Sequence, residues 1–259
     1  MNLKDRCILV WSFTRRQILE RYSGSALGLV WAFVNPLVGL ALWTFLFTTV
    51  IRLRHGGMGG AAGYAIMLWV GMIPWIAFSE AIGAAMGCIR NHANLIKRTL
   101  FPIEVLPVAA VLAGFVHSLF ALVILLPILL FVFHSVPWTI VYLPIVILYQ
   151  LAFTIAVAYL VSVATTLVRD AVQIVTNLLT TLMYLTPIIY PHEAIPEPYR
   201  TVMLANPIAV IVISYRRMLL EGLPPSWKLL GAHTLVVLVL LWLARRTFQS
   251  QRSSFAEII

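Results

Sequence analysis

The chain has 259 residues, 61% of them hydrophobic and only 10% charged, with a mean hydropathy of +0.96. A soluble domain is about 45–50% apolar and about 25% charged, so this composition excludes an ordinary soluble fold. The net charge of +9 does not mark a nucleic-acid binder, because the basic residues flank apolar runs and read as topology determinants.

Several apolar runs approach or exceed the roughly 20 residues that a membrane-crossing helix needs. The alternation of barrel strands is absent, so helices must satisfy the backbone in lipid. Residues 1–25 are basic and mildly amphipathic. Leu3, Cys7, Val10, Trp11, Ile18 and Tyr22 share one arc at helical spacing, beside Arg15, Arg16 and Arg21. This stretch lacks the apolar core of a cleavable signal and predicts a helix lying in the membrane interface.

Spans are expected at 26–51, 64–89, 105–133, 139–168, 172–190 and 229–243. Arg52, Arg54 and the Gly56–Gly63 turn close the first span, and a polar piece over 90–101 follows the second. Residues 206–220 are apolar but too short to cross comfortably, which suits a re-entrant or interfacial segment. With the N-terminus inside, twelve Lys and Arg fall on inner segments and six on outer ones. Both termini are therefore expected in the cytoplasm. The fold class is all-α integral membrane: six transmembrane helices, an N-terminal interfacial helix and a re-entrant outer segment between spans five and six.

No catalytic pattern is present: no Walker A sequence, HExxH or GxSxG. The six histidines and two cysteines give no metal spacing, and His117 and His134 read as packing or interface residues. No metal and no cofactor of its own is expected, so energised work needs another chain or an ion gradient. Glu80 is the one carboxylate placed well inside a span. An intramembrane acid is a functional candidate by default, although a neutral acid bonded between helices satisfies the same pattern. Leu95, Ile96 and Phe101, set among Asn91, Asn94, Lys97 and Arg98, make a short amphipathic piece. On spacing alone it is either a dock for a cytosolic partner or an ordinary positive-inside turn.

Ring faces stack on sugars, and the candidate channel aromatics are Trp31, Phe33, Trp75, Phe78, Tyr149, Phe153 and Tyr184; interfacial belt and helix packing are the competing account. Prolines at 36, 74, 107, 127, 144 and 187 are expected to kink their spans. Gly71, Gly83, Ala84 and Gly87 allow close helix approach.

Read together, these stretches resemble a known family. Tyr22-Ser-Gly-Ser-Ala-Leu-Gly-Leu-Val-Trp31 with Asn35-Pro36-Leu37 is similar to the start of the membrane subunit of ABC-2 type polysaccharide exporters. Asn94-Leu-Ile-Lys-Arg-Thr-Leu-Phe-Pro102 with Val105-Leu-Pro107 resembles that family's coupling segment. Arg169-Asp170, Tyr184-Leu-Thr-Pro-Ile-Ile-Tyr190, Ile195-Pro196 and Asn206-Pro207 resemble its fifth span and outer gate, and the ending Arg252–Ile259 also fits. The likeness covers nearly the whole chain.

The resemblance implies a homodimer bound to two copies of a cytosolic ATPase, which holds ATP and Mg. It implies export of an undecaprenyl-diphosphate-linked glycan, O-antigen first and capsule or teichoic acid next. Coupling would fall on 91–101. Arg15, Arg16 and Arg21 would lie near the lipid diphosphate. The outer gate would span 195–220, with Ile195, Pro196, Asn206, Pro207 and Tyr215. Rival readings are an ABC-2 exporter of drugs or lipids, a carrier driven through Glu80, and a membrane scaffold.

Overall fold

A computed structural model describes residues 2–50, 60–98, 101–134, 136–251 and 255. Arg52, Arg54 and the first half of the Gly56–Gly63 turn lie outside these, as do Thr99, Leu100 and the tail apart from Phe255. The described residues are helical throughout, with no strand. Ten α-helices follow one another: α1 Leu3–Tyr22, α2 Trp31–Thr44, α3 Gly60–Gly87, α4 Ala93–Arg98, α5 Val105–Phe133, α6 Leu143–Leu167, α7 Ala171–Leu185, α8 Glu197–Leu204, α9 Pro207–Leu219 and α10 Trp227–Ser250.

Helix α3 is the axis of the bundle. It is apolar on every side, the pattern of a helix with no solvent face, and 83% of its most apolar window is buried inside the chain. Helices α5, α6 and α9 pack around it, α1 and α2 lie on α5, and α10 lies on α6. Backbones come close where Gly114 of α5 meets Ala81 of α3. A Cβ at Gly114 would sit 3.0 Å from the Ala81 nitrogen and 3.2 Å from its Cα. Gly83, by contrast, faces open space.

Among the described residues four helices are long and apolar enough to cross a membrane, α3, α5, α6 joined to its leading turn, and α10, and the bent pair α8 and α9 makes a fifth candidate if taken as one span. The expected first span is broken into a 3-10 turn at Gly28–Val30, α2 and a π-helical turn at Phe45–Val50. The expected fifth span ends early, because Pro187 terminates α7 rather than kinking it. Thr186 is extended (φ −90°, ψ 138°), the conformation that a following proline imposes. Pro107 and Pro144 likewise sit in the first turns of α5 and α6, where a missing donor has little effect. Pro36, Pro74 and Pro127 are interior. Helix α10 outruns its expected span at the C-terminal end by one to two turns.

Helices α8 and α9 meet at a 100° bend. Asn206 makes the corner: its Oδ1 accepts from the Ile208 N–H at 3.0 Å and its Nδ2 donates to Thr186 Oγ1 at 3.1 Å. Pro207 then takes the first helical position, as its fixed φ favours. The bend turns α9 into the core, where Ile208 through Arg216 are all buried.

Candidate functional site

Helix α1 packs on α5 through Val10, Phe13, Thr14 and Ile18, while Ile8, Trp11 and Leu19 point away. Cys7 and Trp11 therefore leave the expected inward arc, because this helix carries apolar residues on two sides. Its last turn brings Arg21 over Glu80 of α3. Arg21 Nη1 and Nη2 donate to Glu80 Oε2 and Oε1 at 2.8 and 2.9 Å, a bidentate pair. His117 Nδ1 of α5 lies 2.8 Å from Glu80 Oε2. The Glu80 carboxylate, through these hydrogen bonds, raises the Arg21 guanidinium above its ordinary pKa. Glu80 sits seven residues, about 10 Å by helical rise, from the end of α3. It is engaged by two other helices, an acid bonded between helices that forms a clamp joining α1, α3 and α5.

A cleft of about 390 Å³ runs from this clamp to Asn91 and His92, between α1, α3 and α5. Arg16 also lines it but is held by Glu20 at 2.6 Å, and Arg15 stays exposed. Of the three basic residues Arg21 is the one bonded to Glu80. His117 Nε2 is buried and has no hydrogen-bond partner among the described residues.

At the same end of the bundle lies a second apolar cluster. Ile96 of α4, Phe101, Cys88, Tyr159, Phe248 and Phe255 are buried in it, with Leu95 and Phe13 packed alongside. Phe13 lies 5.3 Å from the Phe101 ring and 5.6 Å from the His92 ring, and Phe248 lies 5.0 Å from Tyr159 and 5.4 Å from Phe255. One knot thus joins α1, α4, α5, α6 and the C-terminal end of α10. The 90–101 segment turns Ile96 and Phe101 into its own chain and leaves Asn91, Asn94 and Lys97 exposed. A partner at this segment meets the polar face rather than the apolar one. The Arg98 side chain lies outside the described residues.

The seven aromatics separate by burial. Trp75, Phe78 and Phe153 pack inside the bundle, with Phe78 and Phe153 stacked at 5.7 Å. Within this one chain these three rings are covered by neighbouring helices, in keeping with the competing account of helix packing. Trp31 and Tyr149 are half-buried, and Phe33 and Tyr184 are exposed.

Two buried polar residues, Arg216 and Gln150, were not singled out from the sequence. Arg216, only 4% exposed, donates to the backbone carbonyls of Met67, Ile188 and Tyr190. Gly71 makes room for it: a Cβ there would lie 3.0 Å from Arg216 Nη2. Tyr215 donates to Gln150 Oε1 at 3.2 Å, and Gln150 Nε2 donates to the Pro74 carbonyl at 2.8 Å, linking α9, α6 and α3. Gln150 is an amide inside an apolar run, a signal the sequence did offer. Ile195 and Pro196 lead into α8, half-buried and exposed respectively.

Residues 8–220, which enclose the clamp, the 90–101 segment and the bent helix pair, match the sequence model of the ABC-2 type transporter family. The chain belongs to that family. It is 34% identical over 253 residues to the O-antigen export system permease protein RfbA of Myxococcus xanthus, covering 97% of this chain and 95% of the relative. RfbA of Klebsiella pneumoniae is 26% identical over 251 residues, 95% and 93% of the two chains. The polysialic acid transport protein KpsM of Escherichia coli is 23% identical over 248 residues, 92% of each. As an ABC-2 membrane subunit the chain is a multi-pass membrane protein that serves an ATP-hydrolysing partner.

Proposed function

We propose that this chain is the membrane subunit of an ATP-driven exporter of lipid-linked polysaccharide, O-antigen foremost, in the bacterial inner membrane. The observation that carries this is the end-to-end likeness to three polysaccharide export permeases. In this reading two copies pair and bind two cytosolic ATPase subunits, which hold ATP and Mg. The cargo is an undecaprenyl-diphosphate-linked glycan. Helices α2, α3, α5, α6, α7 and α10 are the six spans, α8–α9 form the half-inserted outer gate, and both termini face the cytoplasm. Helices α2 and α7 are the candidates for the seam, since Leu37, Leu42, Leu178 and Leu185 leave them apolar and uncovered.

The geometry supplies a route for the stroke. Force on the exposed Asn94–Lys97 face of α4 passes through Ile96 and Phe101 into the knot and so to α1. The Arg21–Glu80–His117 clamp hands it to α3, the axis on which the other helices pack. Tyr184, and Phe33 beside Phe120, are exposed and are the candidates for weak sugar contacts, which suit a cargo that must leave as well as enter. Deleting the gene should trap lipid-linked glycan inside the cell, and restoration should require both this chain and an active ATPase. Normal surface polysaccharide in the deletion strain would refute the proposal.

A further inference from the structure

A groove of about 450 Å³ opens between α1, α5, α6 and α10, away from the Glu80 cleft. Its composition changes along its length. One end carries Arg6, Arg245 and Glu104. The other is apolar: Leu238 and Leu241 of α10 face Val108 of α5 and Ile155 of α6. Leu238 and Arg245 are seven residues apart on one stripe of α10, about 10 Å by helical rise. Trp242 stands between them, exposed, with the Arg246 guanidinium 5.3 Å over its ring.

The polar end has a surplus of positive charge. Glu104 is held by Gln249 at 3.2 Å and more loosely by Arg6 at 3.6 Å. Arg245 is exposed and has no ion-pair partner among the described residues. A groove cationic at one end and oily along the rest, beside an aromatic residue of interfacial type, has the polarity of a phospholipid. Basic pockets between transmembrane helices take anionic headgroups.

We propose that this groove is a binding site for an anionic glycerophospholipid of the surrounding bilayer, its phosphate at Arg245 and Arg6 and an acyl chain along Leu238, Leu241, Val108 and Ile155. The lipid braces α1 against α10 from outside the subunit, and the site is independent of the cargo pathway.

The test uses the full chain and native mass spectrometry after exchange into dioleoyl-phosphatidylglycerol or dioleoyl-phosphatidylcholine. Wild type should retain a single phosphatidylglycerol under conditions that strip phosphatidylcholine. Arg245→Gln should weaken that retention about fivefold, the loss of one basic headgroup contact. Leu238→Trp, which fills the oily end and leaves every charge in place, should weaken it too. Arg169→Gln, an exposed cation outside the groove, should not. Phosphatidylglycerol should raise the Tm of wild type and of neither groove variant. Equal retention of the two lipids, or undiminished phosphatidylglycerol in both groove variants, would overturn the site. Displacement by farnesyl diphosphate at lower concentration than by phosphatidylglycerol would overturn the assignment of its occupant.

Discussion

Arg21 and Glu80 stand 59 residues apart in sequence yet share two hydrogen bonds. What they contribute depends on which partner is removed. Arg21→Ala leaves a carboxylate inside a span with His117 as its remaining partner. That should lower stability by about 1–2 kcal/mol once the partial exposure of Arg21 is discounted. Adding Glu80→Gln to Arg21→Ala should recover much of the loss, because the stranded charge is gone. Thermal unfolding of the purified variants checks this, and a double variant no better than Arg21→Ala would remove the clamp from the account. Arg216→Ala should be worse, about 3 kcal/mol, since it strips donors from buried carbonyls at Met67, Ile188 and Tyr190. Arg216→Lys should restore only part, because one ammonium lacks the guanidinium's fixed fork; full recovery of Tm would show that charge alone matters. Glu80 was legible in the sequence as an acid in an apolar run. Its partners were not, because only the register of three separate helices brings them together. Arg216 read as a topology charge at the end of an apolar segment, and the 100° bend that buries it has no signature in hydropathy.

Among the elements, α4 separates coupling from stability. Lys97 and Asn94 are exposed, whereas Ile96 is 8% exposed within the knot. Lys97→Glu should cut cargo-stimulated ATP hydrolysis by the reconstituted complex several-fold and leave the Tm unchanged. Ile96→Asp should lower the Tm outright, since it buries an unpaired charge. Unchanged ATP hydrolysis in Lys97→Glu beside a lowered Tm in Ile96→Asp would mean that α4 is only a structural turn. The amphipathic character of this piece was plain from Leu95, Ile96 and Phe101. Which face meets the partner was not, because an isolated apolar stripe does not say whether its own chain or another covers it. The third span, 105–133, coincides with α5, for it has strong hydropathy and clear polar borders. The fifth fell short because hydropathy reads through Pro187, while the backbone before a proline must leave the helix. The small-residue reading named Gly83, which faces open space, and passed over Gly114, which lies against the Ala81 backbone. Sequence spacing identifies small residues but not the face they occupy.

At the scale of the molecule, composition with the length and patterning of the apolar runs pointed to an all-helical membrane protein, and α3, apolar all round, stands at its centre as that pattern requires. The count of spans was less legible, since a π-helical turn beside α2 and a proline beyond α7 shorten two helices below the length of a simple crossing. The central claim is that a motor at the inner face drives this chain through the 90–101 segment. Cysteine mapping tests it most directly: Lys97→Cys in a Cys7→Ser background, where Cys88 is buried, probed with a membrane-impermeant maleimide. Labelling should occur in inverted vesicles and not in right-side-out ones, and bound ATPase should block it. Labelling from the outer side would put the segment beyond any motor's reach and contradict the account.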